Sequence, residues 1–194
     1  MIPKNTTKVV IYLLKSIAEF GYNINQIAKL NKISVGSAFK ILTELESDKI
    51  IIKRKISNAS HYKLNFDNLE TIKLCELLLL AEKKKFKSHA KLYASEIIKF
   101  KDAEMIIIFG SVLKEKEFND VDVLFLTNQT KKVNDFCLEI SKFRTKPVVP
   151  LIMTQEDLIN ALKNKKEAIL SMVKEGIVLR GESVFVGVVK NVNS

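Results

Sequence analysis

The sequence predicts an α+β chain made of two small domains joined by a helix. Three observations predict it. The first third carries apolar residues at helical spacing and then two β-favouring runs; residues 67–103 contain neither glycine nor proline; and short apolar runs on either side of Gly110 are followed by alternating helix and strand patterns. A chain of 194 residues is long enough for two such domains, and 47% hydrophobic with 28% charged residues is a globular composition. The divisions expected are 1–66, 67–103 as a helical linker, and 104–194.

In chain order, Val9, Val10, Leu13, Leu14 and Ile17 form one helical stripe closed by Gly21, and Ile24, Ile27, Ala28 and Leu30 form a second, shorter one. Ile33 enters as the hydrophobe of a tight turn. Ser34 is placed to cap a third helix whose inner face is Ala38, Leu42 and Leu45. The stretch "KIIIKRKISNASHYKLNF" reads as a hairpin around Ser57, Asn58, Ala59 and Ser60. Helices, helix-turn-helix and hairpin together resemble the winged-helix DNA-binding domain over residues 6–66. The resemblance implies that Ser34, Val35, Gly36, Ser37 and Lys40 enter a major groove, and that Lys53, Arg54, Lys55 and Lys63 meet phosphates from the wing.

Charge agrees with that partner. Residues 1–66 hold 11 Lys and Arg against 4 Asp and Glu, so +7 of the chain's +10 belongs to the first third. Only one of those 11 is an arginine, so binding led by phosphates and sensitive to salt is expected. The other reading of this segment is an ordinary solvated basic face or a protein-interaction module.

Residues 67–103 form helix throughout, and Leu74 to Ala81 is apolar on nearly every side, so burial from several sides is expected. A domain junction, a homodimer interface or the interior of the second domain would each supply it. "KKKFK" at 83–87 reads as a solvated turn. Cys75 and Cys137 have no metal-ligand spacing and read as buried reduced thiols. His61 and His89 have no partner at ligand or triad spacing. No apolar run approaches a membrane span and the first residues lack a signal peptide's layout, so a soluble cytoplasmic protein with no membrane partner is expected.

Met105–Phe109 is a β-type run, Gly110 permits a sharp exit, and Asp120 and Asp122 lead into a second β-type run at Val123–Leu126. Residues two apart in a strand share a face, so both carboxylates would project together, a geometry suited to magnesium and bound phosphates. The plainer alternative is a pair of solvated acids where a strand begins. "IIIFGSVLKEKEFNDVDVLFL" resembles the DNA polymerase β-like nucleotidyltransferase superfamily, in particular its minimal members, over roughly residues 83–182. Gly110 and Ser111 match its first element, and Asp120, Val121, Asp122 and Val123 its second.

The resemblance implies a mixed sheet flanked by helices, Ser111 on the β- and γ-phosphates of an NTP, and two magnesium ions on Asp120 and Asp122 as the catalytic pair. Lys132–Phe143 as a helix, Pro147–Met153 as a strand, Thr154 capping a helix from Gln155 to about Asn164, and another helix from Lys165 to Glu175, ending at Gly176, are compatible with it. Two departures stand out. The spacer "VLKEKEFN" is short, and "PVVPLIM" has no third carboxylate; Glu156 and Asp157 follow it but suit a helix's first turn. Two function classes therefore follow. One is a DNA-binding enzyme transferring NMP from an NTP to a hydroxyl; the other is a non-enzymatic transcription regulator whose second domain senses nucleotide or dimerises.

Overall fold

The computed structural model describes residues 2–17, 21–86, 88–114 and 117–193. The chain is α+β and divides into two compact units, Met1–Leu78 with Asn193–Ser194, and Leu79–Val192.

The first unit begins with α1 (Lys4–Lys15), whose stripe Val9, Val10, Leu13 and Leu14 is buried. Ile17 lies beyond that helix. Strand β1 (Tyr22–Asn23) is only two residues long and was not legible by periodicity. Asn23 also caps α2 (Ile24–Asn31): its Oδ1 accepts from the Gln26 N–H at 3.0 Å while Gln26 Oε1 accepts from the Asn23 N–H at 2.9 Å. After a left-handed Lys32, Ser34 caps α3 (Val35–Ser47), and Ala38, Leu42 and Leu45 face inward as expected. Strands β2 (Ile51–Ile56) and β3 (Ala59–Leu64) form the hairpin, and the sheet runs β1-β3-β2 with all pairs antiparallel. Gly21 has φ 75°, and a Cβ there would stand 2.5 Å from the Tyr62 carbonyl oxygen, so β1 enters only through a glycine.

The 67–103 stretch is not one helix. It forms α4 (Leu69–Glu82), a single 3-10 turn at Lys83–Lys85, an extended Phe86, and α5 (Ser88–Ile97). Lys87 of the expected basic turn lies outside the described residues. Burial on α4 is also one-sided. Cys75, Leu78 and Leu79 are buried, whereas Leu69, Leu77 and Leu80 face solvent, Leu77 at 57% exposure. Burial pushes both free thiols, Cys75 and Cys137, up to about 12.

The second unit is built on a four-stranded sheet: β4 (Met105–Phe109), β5 (Val121–Leu126), β6 (Val148–Met153) and β7 (Ile177–Arg180), in the order β6-β5-β4-β7. β4 is antiparallel to both its neighbours, and β5 and β6 are parallel, joined by α6 (Thr130–Phe143). α5 and α6 cover one face through Tyr93, Ala94, Ile97, Val133, Cys137 and Ile140 against Ile106, Ile108, Val121, Val123 and Phe125. Met105, Ile107, Leu124 and Leu126 alternate onto the other face and are fully buried too, so the central strands are covered on both sides. α7 (Gln155–Lys163), α8 (Glu167–Glu175) and α9 (Glu182–Asn193) complete the unit. α5 is tied to the end of α6 by a forked ion pair between Glu96 and Arg144 and by Tyr93, whose hydroxyl donates to the Lys146 carbonyl at 2.9 Å. Among the described residues no helix is long and apolar enough to cross a membrane.

Candidate functional site

In the second unit the glycine-serine turn and the two aspartates meet at one end of the sheet. Phe109, the last residue of β4, pairs with Asp122 in β5. Gly110 leaves the strand at φ 83°, and a Cβ on it would overlap Asp122 Oδ2 and stand 3.2 Å from its Cγ. The Asp122 carboxylate therefore lies directly against Gly110, and both the backbone angle and the space require glycine there. Ser111–Leu113 then makes one 3-10 turn, closed by the Lys114 N–H donating to the Ser111 carbonyl at 2.9 Å. Lys114 in turn pairs with Glu175 at 2.5 Å.

Asp120 precedes β5 by one residue, and both aspartates are half-buried. Burial first, and then the negative charge of Asp120, raises the Asp122 carboxyl above the usual carboxylate range. The two acids are thus within electrostatic reach of each other. The spacer before them is anchored by Phe118, which packs between the rings of His89 and Tyr93, each centroid 6.0 Å away. Glu115 and Lys116 of that spacer lie outside the described residues.

Among the described residues no third carboxylate joins the pair. β6 runs parallel to β5 with Val149 opposite Asp122, so the side chain standing beside the aspartate is a valine, 43% exposed. Glu156 and Asp157 are at the wrong end. Leu126 is opposite Met153, which places the end of β6 about 13 Å along the sheet from Asp122, at ~3.3 Å per residue, with α7 beyond it. Asp157 has its own task in a capping box, accepting from the Thr154 hydroxyl and N–H, and those bonds hold its carboxyl below the usual range. Glu175 is held by Lys114. Among the described residues no group of three or more His, Cys, Asp or Glu could hold a metal ion.

A cleft of about 660 Å³ also occupies the far end, lined by Lys101, Asp102, Thr127, Lys132, Thr154 and Gln155. Its Lys132 is paired with Asp102 at 2.9 Å, and its lining includes none of Gly110, Ser111, Asp120 and Asp122.

The residues expected to contact DNA separate into three groups. Val35, Gly36 and Lys40 are exposed on α3 and face away from its buried side. Ser34 and Ser37 are exposed but engaged with each other: Ser34 Oγ accepts from the Ser37 N–H at 3.1 Å and donates to Ser37 Oγ at 2.9 Å. Ser34 is therefore a cap, and only the Ser37 hydroxyl proton is left to donate outward. Lys53, Arg54 and Lys55 are all exposed on β2, while Lys63 on β3 is half-buried.

The pairing also splits the wing cations by face. Lys53 and Lys55 lie opposite Tyr62 and Ser60, whereas Arg54 and Lys63 lie opposite His61 and Ile52, on the other side of the sheet. No single face of the hairpin offers all four. His61 itself is half-buried with its Nδ1 enclosed, which is a packing role.

No protein-family model matches the chain, and neither a curated protein nor a solved structure is significantly similar to it.

Proposed function

We propose that the protein is a DNA-binding regulator whose first unit is a winged-helix domain and whose second unit is nucleotidyltransferase-like and binds a magnesium nucleoside triphosphate at Gly110, Ser111, Asp120 and Asp122. One observation carries the nucleotide reading. The Asp122 carboxylate is seated on Gly110 at the mouth of the Gly-Ser turn, with the charge of Asp120 beside it. Two half-buried carboxylates that repel each other are a donor set for a hard cation, and two such ligands leave positions for phosphate oxygens. They fit one ion shared with a nucleotide; Val149 beside Asp122 adds no donor for the fuller set that transfer chemistry would use. When bound, magnesium supplies the positive charge that neutralises the phosphates. The chain's own contribution is to hold Asp122 against the turn and to present the Ser111 hydroxyl at its start.

The DNA reading is supported by α3 presenting its uncharged and lysine-bearing face to solvent, with Lys53, Arg54 and Lys55 exposed on the neighbouring hairpin. The competing reading, an enzyme transferring NMP to a hydroxyl acceptor, is favoured by the Gly-Ser turn and the Asp-Val-Asp pattern together.

Calorimetry with each NTP, in magnesium and in chelator, tests the nucleotide site. Tighter binding in magnesium is expected, and Asp120→Asn with Asp122→Asn should abolish that gain; equal binding in chelator removes the magnesium site. Incubation with labelled NTP and a cell extract separates the two classes, because a labelled acceptor that disappears in the double variant establishes transfer. For the first unit, duplex affinity should fall steeply as salt rises, and replacing Lys53, Arg54 and Lys55 together should flatten the slope by about one for each phosphate no longer neutralised. Absence of duplex binding at low salt removes the DNA reading.

A further inference from the structure

The outward face of α3 is not only basic. Val35, at 49% exposure, and Phe39, at 62%, stand four residues apart on one helix and so occupy the same side, one turn above the other. Gly36 lies beside them with open space around its Cα, so the helix surface between the two apolar side chains is low and a partner can approach the backbone. Lys40 follows Phe39, Lys32 precedes the helix, and both are exposed. The first acids on α3 are Glu44 and Glu46, beyond its first two turns. A solvent-facing phenylalanine bordered by cations, with no acid on the first two turns of its own helix, matches a polyanion that also presents apolar groups.

The sequence of α3, "VGSAFKILTELES", contains no arginine, asparagine or glutamine, the side chains that read guanine or adenine through paired hydrogen bonds. What its exposed start can offer a base edge is the Ser37 hydroxyl, the Lys40 ammonium, and the apolar surfaces of Val35 and Phe39. In the major groove the apolar feature is the 5-methyl group of thymine.

We propose that Val35 and Phe39 read thymine methyl groups, so that the first unit prefers A·T-rich duplex and owes that preference to apolar contact, while its cations supply affinity without sequence preference. This rests on the reading of the unit as a DNA-binding domain. Burying one methyl-sized apolar group accounts for about a fourfold change in affinity.

The test uses the full chain and three duplexes: one A·T-rich, the same one with uracil in place of every thymine, and one G·C-rich. Uracil keeps thymine's hydrogen-bonding groups and lacks only the methyl. The expected result is a loss of about fourfold for each contacted methyl in the uracil duplex. Phe39→Ala should narrow the gap between the thymine and uracil duplexes by about fourfold for each methyl that Phe39 contacts, and leave the salt slope unchanged. As Phe39 is exposed, the variant should keep its fold, which circular dichroism checks.

Equal affinity of the wild-type protein for the thymine and uracil duplexes overturns the inference while leaving the DNA reading in place. A Phe39→Ala variant that keeps the thymine preference and instead dissolves a dimer seen by sedimentation assigns the stripe to a protein contact and overturns it as well. Failure to bind any duplex at low salt defeats the DNA reading itself.

Discussion

The two units place their charged groups in opposite ways. In the first, Lys53, Arg54 and Lys55 follow one another on an exposed edge strand, and the side chains that matter point into solvent from a helix and a hairpin. In the second, β4 and β5 are buried on both faces, and the polar groups gather where those strands end, Asp122 packed against Gly110. An exposed basic face tolerates change at any one position because each cation acts through solvent at a distance. A carboxylate set on a glycine at the end of a buried sheet depends on the backbone beneath it.

Substitutions sharpen the contrast, and the largest expected effect lies in the buried sheet. Phe125 is fully buried and packs edge-on against Phe100 with ring centroids 5.4 Å apart. Phe125→Ala should cost about 3–5 kcal/mol, measured by urea unfolding, through reduced burial and the cavity it leaves. Lys53→Ala on the exposed hairpin should stay within about 0.5 kcal/mol in the same assay. A large loss at Lys53 would break the comparison.

An intermediate effect is expected at Gly110→Ala. The new Cβ meets Asp122 Oδ2 in a backbone conformation that L-residues rarely adopt, a cost of about 1–3 kcal/mol. Its sharper readout is functional. Asp122 must leave its seat, so magnesium-dependent NTP binding should weaken by more than the stability change alone would produce. Unaltered binding would mean that the Asp122 position is not what holds the nucleotide.

A smaller effect than at Gly110 is expected at the Glu96–Arg144 pair. The hydrogen bond from Arg144 holds the Glu96 carboxyl below the usual carboxylate range. A depressed folded-state pKa contributes stability above the unfolded-state value, and that contribution is lost as pH falls through the folded one. Glu96→Gln should therefore lower Tm slightly at neutral pH, and the gap to the wild type should close on acidification. A gap that persists at low pH would assign the loss to packing rather than to the ion pair.

In the second unit β4, β5 and β6 were legible because they are short apolar runs bounded by Gly110 and Pro147, and α6, α7 and α8 carry clear stripes, whereas β7 and α9 were not read from the sequence. The sheet β1-β3-β2 was only half legible, since two residues carry no periodicity. α4 misled: Leu69, Leu77 and Leu80 are as apolar as the buried Leu78 and Leu79, and composition cannot say which side of an all-round apolar helix meets a partner.

By itself, the sequence determined most of the elements and the types of residue each presents: the apolar periods, the caps at Ser34 and Thr154, the glycine at the strand exit and the Asp-Val-Asp spacing are all local signals. Which residues stand together was decided only by the tertiary structure. It set Val149 beside Asp122, sent Asp157 to the far end of the sheet and split Lys53 and Lys55 from Arg54 and Lys63. The physical reason is strand register. Alternation along one strand follows from its own backbone, whereas the identity of the neighbour across the ladder depends on pairing between segments distant in sequence, and a slip of one residue exchanges every face.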